Sequence, residues 1–392
     1  MYPGAHAATT PDKPAVIMAG TGQTVTFAEL ESRSIRIARH LHALGLRRGD
    51  HVAVLATNTP AIFDIYWAAM RSGLTPDTVY LSPAPLYHAA PLRTCASVQA
   101  LGGTVVVMDR FDAEQALACI EQYRVTYSQW VPTMFVRMLK LPAETRQKYD
   151  VSSLRVAVHA AAPCPVEVKR QMIEWWGPIL SEYYSSTELN GMTLVNSDEW
   201  LRKPGTVGRA ALGVAHICGD DGADLAPGEI GTLYFERDTL PFEYHNAPAK
   251  TRDAQHPQHP TWTTTGDVGY LDEDGYLFLT DRKSFMIISG GVNIYPQEIE
   301  NTLTEHPAVL DVAVIGIPDE EMGESVLAVV QTVPGVTGDD ALAGELLDHV
   351  RCRLARFKVP RNVVFSDDLP RTPTGKLVKG TLRERYSAGV HA

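Results

Sequence analysis

The sequence predicts an α/β fold built on a mostly parallel sheet, and three observations lead to this prediction. Between residues 78 and 183, apolar runs of strand length alternate with runs of helix length. Residues 203–281 are richer in glycine, threonine and short alternating runs, which is typical of a small β-subdomain. From about residue 281 strand-like and helix-like runs alternate again. Such alternation favours parallel strands covered by helices on both faces.

Composition places the chain among ordinary globular proteins. It has 392 residues, enough for two or three domains, with 45% apolar and 21% charged residues. The net charge of −11 argues against nucleic acid or an anionic membrane surface as the main partner. No apolar run approaches membrane-spanning length, and the first residues lack the pattern of a signal peptide. These features suit a cytoplasmic enzyme, and they leave open whether it forms a homo-oligomer.

Cysteine usage agrees with this expectation. The five cysteines are scattered and odd in number, which predicts a reducing compartment and no disulfide framework. No cluster has the spacing of a zinc site.

The first part of the chain is expected to begin with a β-hairpin and an amphipathic helix. These cover residues 14–28 and 28–45, followed by a strand at 51–56 and an apolar helix at 60–74. The alternating stretch then predicts strands at 79–83, 104–108, 127–131, 154–159 and 179–183, and helices at 91–101, 113–123, 132–141 and 165–176.

The stretch from residue 263 to residue 300 is the most informative part of the sequence. It predicts two short strands joined by a turn at Asp274–Gly275, then a strand at 285–288, a Gly-Gly loop and a helix opened by Pro296. The carboxylate of Asp267 could accept both hydroxyls of a ribose, and Arg282 offers a planar donor fork. The alternative is a hairpin in which these two side chains pair with each other on the surface.

The remaining segments are predicted from the same patterns. Residues 241–262 are expected to be a polar loop in which His256 and His259 are solvated rather than metal-bound. The C-terminal part is expected to contain helices at 297–304 and 339–356 and strands at 309–317, 325–333 and 362–366.

The order of several motifs resembles the adenylate-forming superfamily of acyl-CoA synthetases, the AMP-dependent fatty-acid–CoA ligases. The motifs are Thr-Gly-Asp ending at Asp267, Asp-Gly-Tyr at 274–276, Asp281-Arg282, the run from Ile287 to Glu300, Tyr184 to Glu188, and Leu369 to Lys376. The resemblance implies an AMP-binding N-terminal domain, residues 1–281, with doubly wound sheets and a β-subdomain at about 203–281. It implies a small α+β C-terminal lid at residues 282–392.

The resemblance also implies roles for the residues of a nucleotide site. Tyr184 would pack on adenine, with Ala161 and Ala162 bordering the same pocket, and Asp267 and Arg282 would hold the ribose. Thr187 and Lys376 would stabilise phosphate charge, and Glu188 would hold magnesium. Ser185 stands where the family usually has glycine. For the segment at 159–163 helix-entry packing is an equal alternative, and for Lys376 the alternative is an ordinary surface lysine.

Further positions are assigned by the resemblance to the acid and to coenzyme A. His88 would lie on the acyl-pocket wall, for which the alternative is a turn beside a buried aromatic. Ser284 would be the hinge of the lid, and Gly290, Gly291 and Lys358 would lie near the path of coenzyme A. The implied substrates and cofactors are a carboxylic acid, ATP, Mg²⁺ and coenzyme A.

One family element has no counterpart in the sequence. The family's Ser/Thr/Gly-rich loop, which wraps the β- and γ-phosphates, would lie between Gly73 and Val79, but residues 74–77 join these elements directly. Either the gene carries an internal deletion or the chain is a pseudoenzyme. We therefore expect an ATP-dependent acyl-CoA ligase with impaired adenylation. The alternatives are a non-catalytic module that binds nucleotide, acyl-adenylate or coenzyme A, and an adenylating enzyme with another acceptor.

Overall fold

The computed structural model describes residues 3–43, 77–282, 285–371 and 377–387. The chain forms two compact units, Met1–His159 and Ala160–Ala392. The predicted strand at 51–56, the predicted helix at 60–74 and most of the junction at 74–77 lie outside the described residues. The predicted domain boundary at 281–282 falls inside the second unit and stays a prediction. No helix in the described ranges is both long and apolar enough to cross a membrane.

The first unit contains a mostly parallel sheet, as predicted. In the described part of this unit the strand order is β2-β1-β4-β3-β5-β6, with β2 antiparallel to β1 and the other neighbours parallel. The strands are β1 Pro14–Met18, β2 Thr24–Thr26, β3 Val79–Ser82, β4 Thr104–Val107, β5 Tyr127–Trp130 and β6 Val156–His159. The helices are α1 Pro3–Thr9, α2 Phe27–Ala43, α3 Ala89–Ala100, α4 Ala113–Tyr123, α5 Pro132–Leu139 and α6 Ala143–Lys148.

Local sequence explains why these elements form and where they begin. Strand β4 is buried at every position, which is why its sequence is continuously apolar rather than alternating. Helix α4 begins after Asp112, whose carboxylate accepts the backbone N–H of Gln115 at 2.8 Å. Helix α2 begins with a reciprocal pair in which Thr26 and Glu29 each accept the other's backbone N–H.

The second unit opens with an antiparallel set of strands and continues with the β-subdomain. Strands β7, β8 and β9 pair antiparallel, and the subdomain sheet runs β10-β11-β13-β14, with β12 beside β11. These strands are β7 Leu180–Ser185, β8 Met192–Asn196, β9 Arg209–Leu212, β10 Val214–Cys218, β11 Gly231–Glu236, β12 Trp262–Thr263, β13 Asp267–Leu271 and β14 Leu277–Arg282. The helices are α7 Val166–Trp176, α8 Ser197–Arg202 and α9 Pro248–Asp253.

The C-terminal part is α+β, as predicted. Its sheet runs β16-β15-β18-β17, with β19 parallel to β18. Its strands are β15 Ile287–Ser289, β16 Val292–Ile294, β17 Val309–Asp319, β18 Gly323–Thr332 and β19 Asn362–Phe365. Its helices are α10 Pro296–Thr304, α11 Asp340–Arg351 and α12 Lys379–Ser387, with a 3₁₀ turn at Arg356–Lys358.

Two sequence expectations need correction. The segment 241–262 is not simply a polar loop, because it contains helix α9 and ends in strand β12. His256 is not solvated, because only 3% of it is exposed. Its buried ring is satisfied by hydrogen bonds: Nε2 bonds the Gly222 carbonyl, and Nδ1 accepts two backbone N–H groups. His259 is exposed, as expected. The predicted helix at 339–356 ends earlier, at Arg351.

Candidate nucleotide-binding site

Two residues assigned to one nucleotide by the sequence meet in the second unit. Asp267 is the first residue of β13 and only 8% exposed, and Tyr184 lies near the end of β7. The Tyr184 hydroxyl donates to Oδ2 of Asp267 at 2.6 Å. The Thr265 hydroxyl donates to the same oxygen at 2.9 Å. Gly266, between Thr265 and Asp267, has φ of +83°, a left-handed conformation that favours glycine. The structure therefore joins the adenine and ribose candidates directly.

An aromatic support for Tyr184 was missed by the sequence reasoning. The Tyr184 ring stacks on Phe235 of β11, with ring centroids 6.3 Å apart and an interplanar angle of 25°. Phe235 is fully buried. A Cβ added to Gly191 would lie 2.0 Å from the Phe235 ring, so only glycine fits there. Phe235 and Gly191 therefore fix the plane of the Tyr184 ring.

The segment after β7 shows how serine replaces the usual glycine. Ser185 stays within strand β7, where its hydroxyl donates to the carbonyl of Gly191 at 2.8 Å. The Ser186 hydroxyl donates to Oδ1 of Asn190 at 2.7 Å, and Leu189 takes up the left-handed conformation with φ of +52°. The turn is thus made after residue 185, and Ser185 needs no unusual backbone.

The phosphate and metal candidates follow Ser186. Thr187 is exposed and Glu188 is half-buried. Oε1 of Glu188 accepts the Tyr244 hydroxyl at 2.9 Å, and within the described residues Glu188 makes no other hydrogen bond or ion pair. A carboxylate with one oxygen left for a hard cation suits Mg²⁺, which uses one or two carboxylates together with phosphate oxygens. The donor set therefore fits the metal that the sequence implies.

Ala161 and Ala162 lie at the start of the second unit. Ala161 is exposed and has φ of +77°, a conformation that costs a non-glycine residue about 1–2 kcal/mol. Ala162 is half-buried. Their place beside adenine stays a prediction.

His88 belongs to the first unit, at the N-terminal end of α3. Burial lowers the pKa of its imidazole, so the neutral form is favoured. Its Nε2 is buried and has no hydrogen-bond partner among the described residues, while the ring packs against Tyr87 with centroids 4.6 Å apart. A neutral imidazole suits the wall of an apolar pocket, but this role stays a prediction.

The positions assigned to coenzyme A lie in the C-terminal part. Gly290 and Gly291 form the turn between β15 and β16, with φ of +57° and +78°. Lys358 forms an ion pair with Glu298, so its ammonium is already partnered. Ser284 and Lys376 lie outside the described residues. For Arg282 only the backbone is described, and it lies opposite Asp267 in the β13–β14 pair.

The parallel sheet of the first unit and the β-subdomain of the second define a protein of the α/β class, in which Tyr184 donates a hydrogen bond to Asp267. The model of the AMP-binding enzyme family matches residues 4–76 and 62–244, and that of the AMP-binding enzyme C-terminal domain matches residues 298–376. The chain belongs to the AMP-binding enzyme family, which confirms the resemblance seen in the sequence.

Several characterised proteins are similar to the chain. A long-chain-fatty-acid–CoA ligase, FadD13 of Mycobacterium tuberculosis, is 36% identical over 311 residues, covering 79% of the chain and 60% of the relative. An indoleacetate–CoA ligase of Aromatoleum aromaticum is 37% identical over 329 residues, covering 81% and 62%. The crystal structure of ATP-bound MatB from Rhodopseudomonas palustris has a TM-score of 0.81 at 25% identity, covering 99% of each chain. The chain thus spans about 60% of the length of these two ligases.

Proposed function

We propose that the chain is an ATP-dependent ligase that joins a carboxylic acid to coenzyme A. The carboxylate oxygen attacks the α-phosphorus of ATP, the bond to pyrophosphate breaks, and acyl-adenylate forms. The thiolate of coenzyme A then attacks the acyl carbon, and the carbon–oxygen bond breaks to release AMP and the thioester. The hydrogen bond between Tyr184 and Asp267 is the main support for this proposal, because it places a carboxylate that could accept the ribose hydroxyls beside an aromatic ring. The ligase names of the relatives support it.

Each candidate residue is proposed to bind one part of the substrates. Asp267 and Arg282 would bind the ribose, and Tyr184 would orient the adenine. Thr187 and Lys376 would donate to phosphate oxygens, where negative charge builds in the transition state. Glu188 would hold Mg²⁺, which when bound neutralises phosphate charge. His88 would contact the acyl chain, but the relatives act on acids as different as long-chain fatty acids and indoleacetate, so the acid is left as a carboxylic acid.

The shortened junction supports impaired adenylation as part of the proposal. The sequence between Gly73 and Val79 contains no counterpart of the phosphate-wrapping loop, and the family model matches in two pieces that overlap at residues 62–76. The same observation favours a second candidate, a non-catalytic module that binds nucleotide, acyl-adenylate or coenzyme A.

The five free thiols support a reducing compartment such as the cytoplasm.

The two candidates differ in acid-dependent exchange of pyrophosphate into ATP. The ligase requires this exchange, acyl-adenylate formation and thioester formation, and all three should be slower in Asp267→Ala. AMP binding with neither exchange nor thioester formation from preformed acyl-adenylate, in a preparation with native near-ultraviolet circular dichroism, supports the binding module and overturns the ligase. Acyl-adenylate without thioester points to another acceptor.

A further inference from the structure

The proposed metal ligand is held by a residue far away in the sequence. Tyr244 lies in the segment before helix α9, and its hydroxyl donates to Oε1 of Glu188 at 2.9 Å. A hydrogen bond to a carboxylate acceptor is stronger than one between neutral groups. The contact therefore fixes one carboxylate oxygen of Glu188 and leaves the other for a ligand.

Tyr244 is itself held at both its backbone and its ring. Its backbone N–H donates to the Thr251 hydroxyl at 2.9 Å, and Thr251 is a buried residue of α9. Its carbonyl accepts the N–H of Ala247 at 3.1 Å. The Phe242 ring meets the Tyr244 ring edge-on, with centroids 5.2 Å apart. These contacts leave the phenol little freedom, so its hydroxyl is a fixed donor rather than a mobile surface group.

A cation lies over the same ring. The ammonium of Lys250 is 4.1 Å from the Tyr244 ring centroid, within the range of a cation–π interaction. A positive charge on the ring face draws electron density from the phenol and makes its O–H a better donor. Lys250, Tyr244 and Glu188 thus form a chain of interactions that ends at the carboxylate.

We propose that Tyr244 is a positioning residue for metal binding: it orients Glu188 toward a phosphate-bound divalent cation, and Lys250 strengthens that hydrogen bond. The inference rests on the proposed function, in which Glu188 binds Mg²⁺. Outer partners of metal ligands generally set the orientation of the ligand atoms. A purely structural brace would instead affect nucleotide binding whether or not the metal is present.

The test compares the affinity for α,β-methylene-ATP with Mn²⁺ and with EDTA, by calorimetry and by water-proton relaxation of Mn²⁺. In Tyr244→Phe we expect the metal-dependent gain in affinity to fall about 10-fold, with the affinity in EDTA unchanged. Lys250→Met should lower the gain less, and Glu188→Gln should abolish it. Tyr270→Phe is the matched control, because the Tyr270 hydroxyl makes no hydrogen bond within the described residues.

The outcomes separate failure of this inference from failure of the proposed function. A full metal-dependent gain in Tyr244→Phe, with the gain lost in Glu188→Gln, overturns the positioning role alone. An equal loss of affinity with Mn²⁺ and with EDTA also overturns it, in favour of a structural brace. If the unaltered chain binds no nucleotide, or Glu188→Gln keeps the gain, the proposed metal site fails and this inference fails with it.

Discussion

At the residue scale, the site depends on how a buried carboxylate is satisfied. Burying a charge is costly unless hydrogen bonds replace the lost water. Asp267 receives hydroxyl donors from Tyr184 and Thr265 on one oxygen, Oδ2. The carboxylate is thereby held in one orientation before any ribose arrives.

Substitutions at this pair should show whether the Asp267 carboxylate recognises the ribose. Asp267→Asn keeps the shape but removes the charged acceptor, so AMP should lose its affinity advantage over 2′,3′-dideoxy-AMP. Tyr184→Phe removes one donor to the carboxylate and should weaken AMP binding by about 10-fold, since hydrogen bonds to charged groups contribute about 1.5–3 kcal/mol. Calorimetric titration of both nucleotides checks this. An unchanged advantage of AMP in Asp267→Asn contradicts the ribose role.

Predictability at this scale depends on whether a residue lies in a contiguous motif. Asp267, Tyr184 and Glu188 lie within short motifs of the sequence. Phe235 and Tyr244 lie outside such motifs. Each contacts a partner that is distant in the sequence, so the contact exists only in the folded chain. An isolated phenylalanine or tyrosine in a sequence gives no sign of the side chain it will meet.

At the element scale, the turn between β13 and β14 is held by charge. The carboxylate of Asp272 accepts the backbone N–H groups of Asp274 and Tyr276 at 3.0 and 2.9 Å. The ammonium of Lys203 contacts Asp272 at 2.8 Å and Asp274 at 2.6 Å. Burial alone would raise the pKa of Asp272, but the hydrogen bonds from Lys203 and the turn outweigh it and lower this pKa.

The sign of this shift predicts how stability depends on pH. Because the folded pKa is below the unfolded value of about 3.9, the pair stabilises the fold above that value. The contribution is lost as the pH falls through the folded pKa. Asp272→Asn should reduce the free energy of unfolding at pH 7 by about 1–2 kcal/mol, and by progressively less as the pH is lowered below about 3.9, as measured by urea denaturation. Lys203→Met should behave similarly, and a loss that does not change with pH contradicts the charge explanation.

The turn between β15 and β16 offers a matched pair of glycines. Both have positive φ, so alanine at either position costs about 1–2 kcal/mol of backbone strain. A Cβ on Gly290 would also lie 2.4 Å from Cε of Met322, whereas one on Gly291 meets nothing within 4 Å. Because Cε is the far end of a flexible side chain and Met322 is 36% exposed, we expect Gly290→Ala to lower the thermal midpoint only slightly more than Gly291→Ala. Equal midpoints would show that Met322 moves aside freely.

At the scale of the whole molecule, the alternation of strands and helices was sufficient to predict the parallel sheet. The strand bounds agree within a few residues, because buried parallel strands are continuously apolar. Short antiparallel strands such as β9 and β16 were not predicted, since three or four residues carry little periodicity. The segment 241–262 was misjudged because its prolines and histidines resemble a solvated loop, while folding buries His256.

The shortened junction predicts unequal damage to the two half-reactions. Adenylation must stabilise the departing pyrophosphate, and the sequence supplies no loop between Gly73 and Val79 to do so. Losing two hydrogen bonds to charged groups, at about 1.5–3 kcal/mol each, would cost about 10²–10⁴ in rate. Thioester formation involves no pyrophosphate and needs the adenylate held by Tyr184, Asp267 and Arg282.

The chain should therefore form thioester faster from preformed acyl-adenylate and coenzyme A than from acid, ATP and coenzyme A. Both rates should be measured on one preparation by quenched-flow sampling and chromatography of the thioester. Asp267→Ala is the control, and it should slow both reactions because the ribose is shared by ATP and the adenylate. Since the thioester step is common to both assays, their ratio isolates the cost of adenylation. Equal rates from the two starting points would show that the absent phosphate loop does not limit this chain.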